Sequence, residues 1–264
     1  MALPDTGLEE YGEELNKKYG IEVQTLALNL ADPDAAFLLH DTCQNNGWQV
    51  NMLINNVGLG SVGAFEKEDF LAIQYMMALN MTVMTQLTRL FLPQIKESDK
   101  GYILNVSSIA GLFPVPFKTI YSATKSFVYS FSRSMYFELE EDKVQVSCLG
   151  PGPVATNGQV KETNRQLGWK ARYFTKHPEE VAEIAIDKMM RGKFLIIPGW
   201  ENQLMTFVGK IIPEFILLPM MAKTFKRRTL APGEGSVAES VAGLSAPSIQ
   251  FQHSVIPYRT KDGE

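Results

Sequence analysis

Tyr121 and Lys125 stand four residues apart in Tyr121-Ser-Ala-Thr-Lys125. The run Thr119 to Leu139 around them has the apolar spacing of a helix. Residues four apart stack on one helix face, so phenol and ammonium look into the same space. A nearby cation favours phenolate over phenol and is expected to lower the Tyr121 pKa. Such a tyrosine can give or take a proton near neutral pH, as general acid-base catalysis requires. A Tyr-x-x-x-Lys pair alone is also common on solvated helix surfaces.

Other polar runs accompany the pair. Asn105-Val-Ser-Ser108 ends the strand-like run Tyr102 to Val106, and Ser108 lies thirteen residues before Tyr121. Asn55-Asn-Val-Gly58 follows Val50 to Ile54, and Asn80 sits inside a long helical stretch, Glu66 to about Ile95. Pro151-Gly-Pro-Val-Ala-Thr156 follows a further strand-like run, Val144 to Leu149. In α/β proteins the carboxyl ends of parallel strands are where ligands bind.

The elements that must position these residues alternate strand and helix. Residues 8–19 read as an exposed helix stopped by Gly20, with acids leading and lysines closing it. Ile21 to Leu30 reads as a strand. Asp32-Pro33 opens a helix to about Asn46. Residues 50–56 are near-continuously apolar, as in a strand covered on both faces. Pro178 to about Arg191 reads as a helix and Phe194 to Pro198 as a last short strand. This alternation predicts an α/β fold with a parallel sheet. Met76, Met77, Met81 and Met84 are expected in core packing. Phe113-Pro-Val-Pro-Phe117 fits an apolar wall near the site or a structural connection. Residues 157–177 have the length of a lid.

Residues 200–228 are rich in Met and Phe, are broken by Pro213 and Pro219, and end in Lys226-Arg-Arg228. They fit a substrate lid, a subunit contact or an amphipathic membrane-surface segment. Residues 229–264 are rich in Ser, Gly and Pro and read as a disordered tail, leaving 1–228 as one domain. The chain has 264 residues, 45% apolar and 20% charged, with net charge −4 and pI near 5.6. That balance argues against a nucleic-acid binder. No apolar run is long enough to span a membrane, and the first residues lack signal-peptide features. Cys43 and Cys148 are expected as reduced, buried thiols of a cytoplasmic protein. His40, His177 and His253 share no metal-binding spacing.

The five motifs, in this order and spacing over residues 20 to 200, resemble the classical short-chain dehydrogenase/reductase family. The resemblance implies a doubly wound, Rossmann-like sheet, a nicotinamide cofactor (NAD or NADP), and hydride exchange with a ketone or secondary alcohol. It makes Tyr121 the acid-base residue and Ser108 the donor to the substrate oxygen. It has Lys125 lower the Tyr121 pKa and hold the ribose hydroxyls, and Asn80 hold a water that links Lys125 to solvent. Asn29, Asn55 and Gly58 would flank the adenosine side of the cofactor. Pro151, Gly152, Val154 and Thr156 would line the nicotinamide end. A homodimer through helices 66–95 and 119–139 is implied as well. The apolar segments hint at a hydrophobic or lipid-like carbonyl substrate.

Two departures stand out. Asn29 replaces the usual Asp at the adenine, although an amide oxygen can still accept that hydrogen bond. No glycine-rich turn follows a strand before residue 50, so the pyrophosphate cradle is missing and cofactor binding should be weakened. The chain is therefore expected to be an N-terminally truncated version of the fold, without its first two strands and first helix. Strand 21–30 would then either collapse onto strand 50–56 or leave exposed edges. The competing reading is a non-catalytic remnant that only binds or dimerises.

Overall fold

The computed structural model describes residues 7–155 and 175–229. Helix α1 (Leu8–Tyr19) ends at Gly20, whose φ of 65° forms the left-handed cap that glycine adopts without strain. Helix α2 (Ala35–Asn45) leads to strand β1 (Met52–Asn55). Helix α3 (Phe70–Met77) is capped by Asp69, whose carboxylate accepts from the Ala72 N–H. It runs through a π-helical turn, Ala78–Thr82, into α4 (Val83–Glu97). Then come β2 (Gly101–Val106), α5 (Thr119–Glu138), β3 (Val144–Leu149), α6 (Pro178–Met190) and β4 (Leu195–Ile196). Two helices close the described chain, α7 (Trp200–Ile211) and α8 (Glu214–Thr229). Of the two prolines expected to break this segment, only Pro213 does. Pro219 lies within α8.

All strands pair in parallel, in the order β1-β2-β3-β4. Alternate side chains leave opposite faces of the sheet. Leu53, Ile103 and Val146 meet Leu39, Leu87, Phe91 and Ile95 on one face, where α2 and α4 pack. Leu104, Leu149 and Ile196 meet Val181, Ala185 and Met189 of α6 on the other. Helix layers on both faces make the arrangement doubly wound. Because every connection is a crossover, the carboxyl ends of all four strands open on one rim.

The structure corrects three expectations. Residues 21–30 form no sheet strand: only Ala27 makes an isolated bridge, while Leu26 and Leu28 pack on the core. A strand needs a ladder partner, and none among the described residues lies beyond the outer edge of β1. Nor is β1 covered on both faces. Leu53 is buried, but Ile54 is 44% exposed, because α6 packs over β3 and β4 rather than over β1. Of the methionines, Met76 and Met84 are buried, whereas Met77 is 42% exposed. Thr156, most of the 157–177 loop, His253 and residues 230–264 lie outside the described residues.

Candidate active site

The strand β2 delivers Ser107 and Ser108 to the rim, and α5 presents Tyr121 and Lys125 one turn apart above them. The Ser108 hydroxyl lies beside the Tyr121 phenol and acts to lower its pKa. Ser108 also caps a short 3₁₀ turn, its Oγ accepting from Ala110 N at 3.2 Å. Ser107, which the sequence reading passed over, donates from Oγ to the Lys125 carbonyl at 2.7 Å. Gly111 allows that closeness, since a Cβ there would lie 2.5 Å from the Lys125 carbonyl oxygen. Strand end and helix are thereby fastened at the residue carrying the ammonium.

Lys125 is buried beneath Tyr121, its Nζ 6.0 Å from the ring centroid. One Nζ proton goes to the Val106 carbonyl at 2.9 Å. An ammonium has three donors, so two are left for ribose hydroxyls. Burial pulls the Lys125 pKa down to about 8, while the neighbouring Cys148 acts to raise it. Burial likewise pushes the Cys148 thiol up to about 12, so it stays neutral.

Tyr121 departs from the expected electrostatics. Its pKa is raised by burial, and the Ser108 hydroxyl pulls only partly against this. Lys125 does not lower it here, because Nζ is turned to the Val106 carbonyl. Desolvation of a phenolate outweighs a cation at this range.

Asn80 is buried at the π turn, where the Val83 N–H reaches back to the Ala78 carbonyl. Its Oδ1 accepts from Leu59 N at 2.8 Å. Its Nδ2 donates to Leu59 O and to Thr124 Oγ1, both at 2.9 Å. Thr124 in turn donates to the Tyr121 carbonyl at 2.8 Å. Both amide protons are therefore committed, and a water could meet this side chain only at Oδ1. The visible task of Asn80 is to clamp the loop after β1 onto α5. Within that loop, a Cβ on Gly58 would lie 2.8 Å from Asn80 Oδ1 and 3.0 Å from Lys125 Nζ. A Cβ on Gly60 would lie 3.2 Å from the Tyr121 ring. The spacing Gly58-Leu-Gly60 was the readable sign of this close approach.

The remaining predicted residues divide. Asn55 Nδ2 is used by Asn105 Oδ1 at 2.8 Å and Thr88 Oγ1 at 3.1 Å, so this side chain ties β1 to β2 and α4. Asn29 Nδ2 is used by Asp32 at 2.9 Å and the Tyr75 hydroxyl at 2.7 Å, while its Oδ1 accepts from Ala31 N. Asn29 thus closes the turn ahead of α2. Pro151, Gly152 and Val154 follow β3 at the same rim as Ser108, where Ile109 N bonds the Pro151 carbonyl. The segment is held by a Val154–Lys176 bridge, and Lys176 pairs with the buried Glu201 at 3.0 Å. A Cβ on Gly152 would stand 2.4 Å from Oδ1 of Asn202, a fully buried side chain that no local pattern had marked.

Over the mouth lies the Lys118 ammonium, 5.5 Å from the Tyr121 ring centroid and 5.7 Å from that of Phe225 in α8. Phe117 before it has a φ of 63°, the sole positive φ of a non-glycine among the described residues. That conformation strains a bulky residue, and the Gly63 N–H holds the Phe117 carbonyl at 2.8 Å.

The fold and this cluster are those of an α/β oxidoreductase. The short chain dehydrogenase family model matches residues 2–167, and the chain belongs to that family of NAD(P)-dependent oxidoreductases. It is 35% identical over 213 residues to the very-long-chain 3-oxoacyl-CoA reductase-A of Danio rerio, covering 78% of this chain and 65% of that protein. It is 33% identical over 159 residues to the corresponding Homo sapiens reductase, covering 56% of this chain and 48% of that one. The chain thus spans between about half and two thirds of these curated relatives. Among solved structures, a 7beta-hydroxysteroid dehydrogenase aligns with a TM-score of 0.73 at 20% identity, covering 83% of this chain and 84% of that one. A short-chain dehydrogenase from Sphingobium yanoikuyae in complex with NADPH aligns at 0.65 and 21%, covering 89% and 86%. At these identities the likeness concerns the fold.

Proposed function

We propose that the chain is a nicotinamide-dependent reductase of a hydrophobic, lipid-like ketone, with a 3-oxoacyl thioester as the best candidate. The observation that carries this is the convergence of the buried Ser108 and Lys125 on the Tyr121 phenol, with Lys125 Nζ 6.0 Å from the ring centroid. The dinucleotide, when bound, supplies the hydride. Ser108 and Tyr121 would hold the carbonyl oxygen between their hydroxyls. As negative charge grows there, the phenol proton moves onto that oxygen and leaves an alcohol. Lys125, with donors to spare, would grip the nicotinamide ribose. Asn80 keeps the Leu59 loop off this space through its clamp on the backbone.

The residues present fit the nicotinamide half of such a cofactor better than its phosphates. Gly58, Gly60 and Gly152 lack the Cβ that would crowd Asn80, Tyr121 and Asn202. For the pyrophosphate, no glycine-rich turn precedes β1 in this sequence, and we propose weak dinucleotide binding for that reason. Support for the substrate class comes from the 3-oxoacyl-CoA reductase relatives. The buried free thiols Cys43 and Cys148 support a reducing compartment such as the cytoplasm.

The remnant reading has its own support in Phe70, Leu71, Met77, Phe127 and Phe137, which are exposed on α3 and α5 and fit a homodimer. Turnover separates the two. The chain is mixed with NADPH or NADH and a 3-oxoacyl thioester, and absorbance at the nicotinamide band is followed. Reductase function predicts turnover that Tyr121→Phe abolishes while nucleotide fluorescence titrations stay unchanged. No turnover at saturating nucleotide would leave the dimerising module. Micromolar dinucleotide affinity would sink the weak-binding part.

A further inference from the structure

Helix α7 is inside out. Its polar residues Glu201, Asn202 and Thr206 are buried, while its large apolar ones face outward. Trp200 is 65% exposed, Phe207 62% and Ile211 63%. With Leu204 they recur at helical spacing, so they form one continuous stripe along α7. The next helix exposes further apolar side chains, with Phe215 78% and Met220 59% exposed. Water does not favour such a surface, and patches of this kind mark a site of interaction.

The charge of this hairpin says what covers it. Residues 200–229 hold Lys210, Lys223, Lys226, Arg227 and Arg228 against Glu201 and Glu214, a net of +3 within a chain of net −4. Glu201 is moreover buried in its pair with Lys176. The rest of the chain therefore carries −7, so these two helices are a cationic segment in an acidic chain. No helix among the described residues is long and apolar enough to cross a membrane. An apolar stripe beside a cationic cluster is what a helix lying in a bilayer interface presents. A second copy of the chain, carrying its own +3 hairpin, would oppose like charges.

We propose that α7 and α8 dock on the surface of an anionic lipid bilayer, with the stripe sunk among the acyl chains. Each of the two helices touches the site's surroundings: Gly209 faces the Phe113 ring, and the Phe225 ring lies near Lys118, which also lies over the Tyr121 ring. Docking would therefore open the site toward the bilayer. This consequence for substrate entry rests on the reductase reading, whereas the docking surface does not.

The test is sedimentation of the full chain with vesicles of phosphatidylcholine, alone or with about one third phosphatidylserine. Binding is expected to the anionic vesicles, about tenfold weaker or less to the neutral ones, and reduced by 0.5 M salt. The double variant Phe207→Asp/Ile211→Asp changes only outward residues. It should cut the partition coefficient about tenfold or more without altering the melting temperature. Equal binding to both vesicle types, binding to neither, or an unaffected variant overturns the proposal. So does a dimer, sedimenting without vesicles, that the variant splits, since a second copy would then cover the stripe. All these outcomes are read without turnover, so they stand apart from the fate of the reductase proposal.

Discussion

Ser108 tempers the grip of Tyr121 on its proton. Its hydroxyl is the one influence that pulls the phenol pKa down against burial. Ser108→Ala should lower turnover by about 10² to 10³ and move the alkaline limb of the pH profile upward, as steady-state kinetics would record. Lys125 makes a second residue-scale prediction. Its pKa is about 8 when folded and near its ordinary 10.5 when unfolded. Between these values the unfolded chain binds more protons, so stability contributed by this group rises with pH from 8 toward 10.5. Below pH 8 the buried charge costs about 3 kcal/mol. Cys148 acts in the opposite sense above pH 9, because its thiol ionises more readily when unfolded. Lys125→Met isolates the lysine, since it keeps Cys148. Subtracting its melting temperature from that of the native chain should leave a gap that favours the variant at pH 7 and narrows by pH 9 and above.

At the scale of elements, the site depends on two joints. The first is the π turn between α3 and α4, which brings Asn80 against the backbone of Leu59 and the hydroxyl of Thr124. Asn80→Ala takes a hydrogen bond from the half-buried Leu59 N–H and carbonyl and from the buried Thr124 hydroxyl, and should cost about 1–3 kcal/mol in urea denaturation. The second joint is the contact of Gly152, after β3, with Asn202 of α7. Gly152→Ala forces a methyl against Oδ1 and should destabilise by about 1–3 kcal/mol. Adding Asn202→Ala should recover much of that loss, so a double-mutant cycle reads a coupling of about 1 kcal/mol or more. Additive losses would show that Gly152 and Asn202 do not press on each other.

At the scale of the whole molecule, two apolar surfaces are left open in different places. One is the exposed apolar surface of α7 and α8. The other is on α3 and α5 and includes Phe70 and Phe127. If that second face pairs two copies, the chain sediments as a dimer, and Phe70→Asp/Phe127→Asp should return it to a monomer with its melting temperature nearly unchanged. A monomeric native chain would discard the dimer. The sheet itself adds a third open surface at β1, where Ile54 faces solvent. Among the described residues β1 has no ladder partner on its outer edge, and such an edge is prone to pair with another chain.

What the residues determined alone is whatever depends on neighbours within a turn or a strand. Tyr121 and Lys125 share a helix face because helices repeat every 3.6 residues. Ser108 reaches the rim because it ends a strand-like run, and the family follows from the order of such motifs. The tertiary structure decided what depends on burial and on distant partners. Residues 21–30 have strand composition and no ladder to join. The Tyr121 pKa moves up, because dehydration by the surrounding fold exceeds the pull of the Ser108 hydroxyl. Asn29, Asn55 and Asn80 had amide groups open to any role until Tyr75, Asn105 and Leu59, all more than 20 residues away in sequence, claimed their protons. Hydrogen-bonding capacity is written in a side chain, but its allocation is set by what the fold brings within about 3 Å.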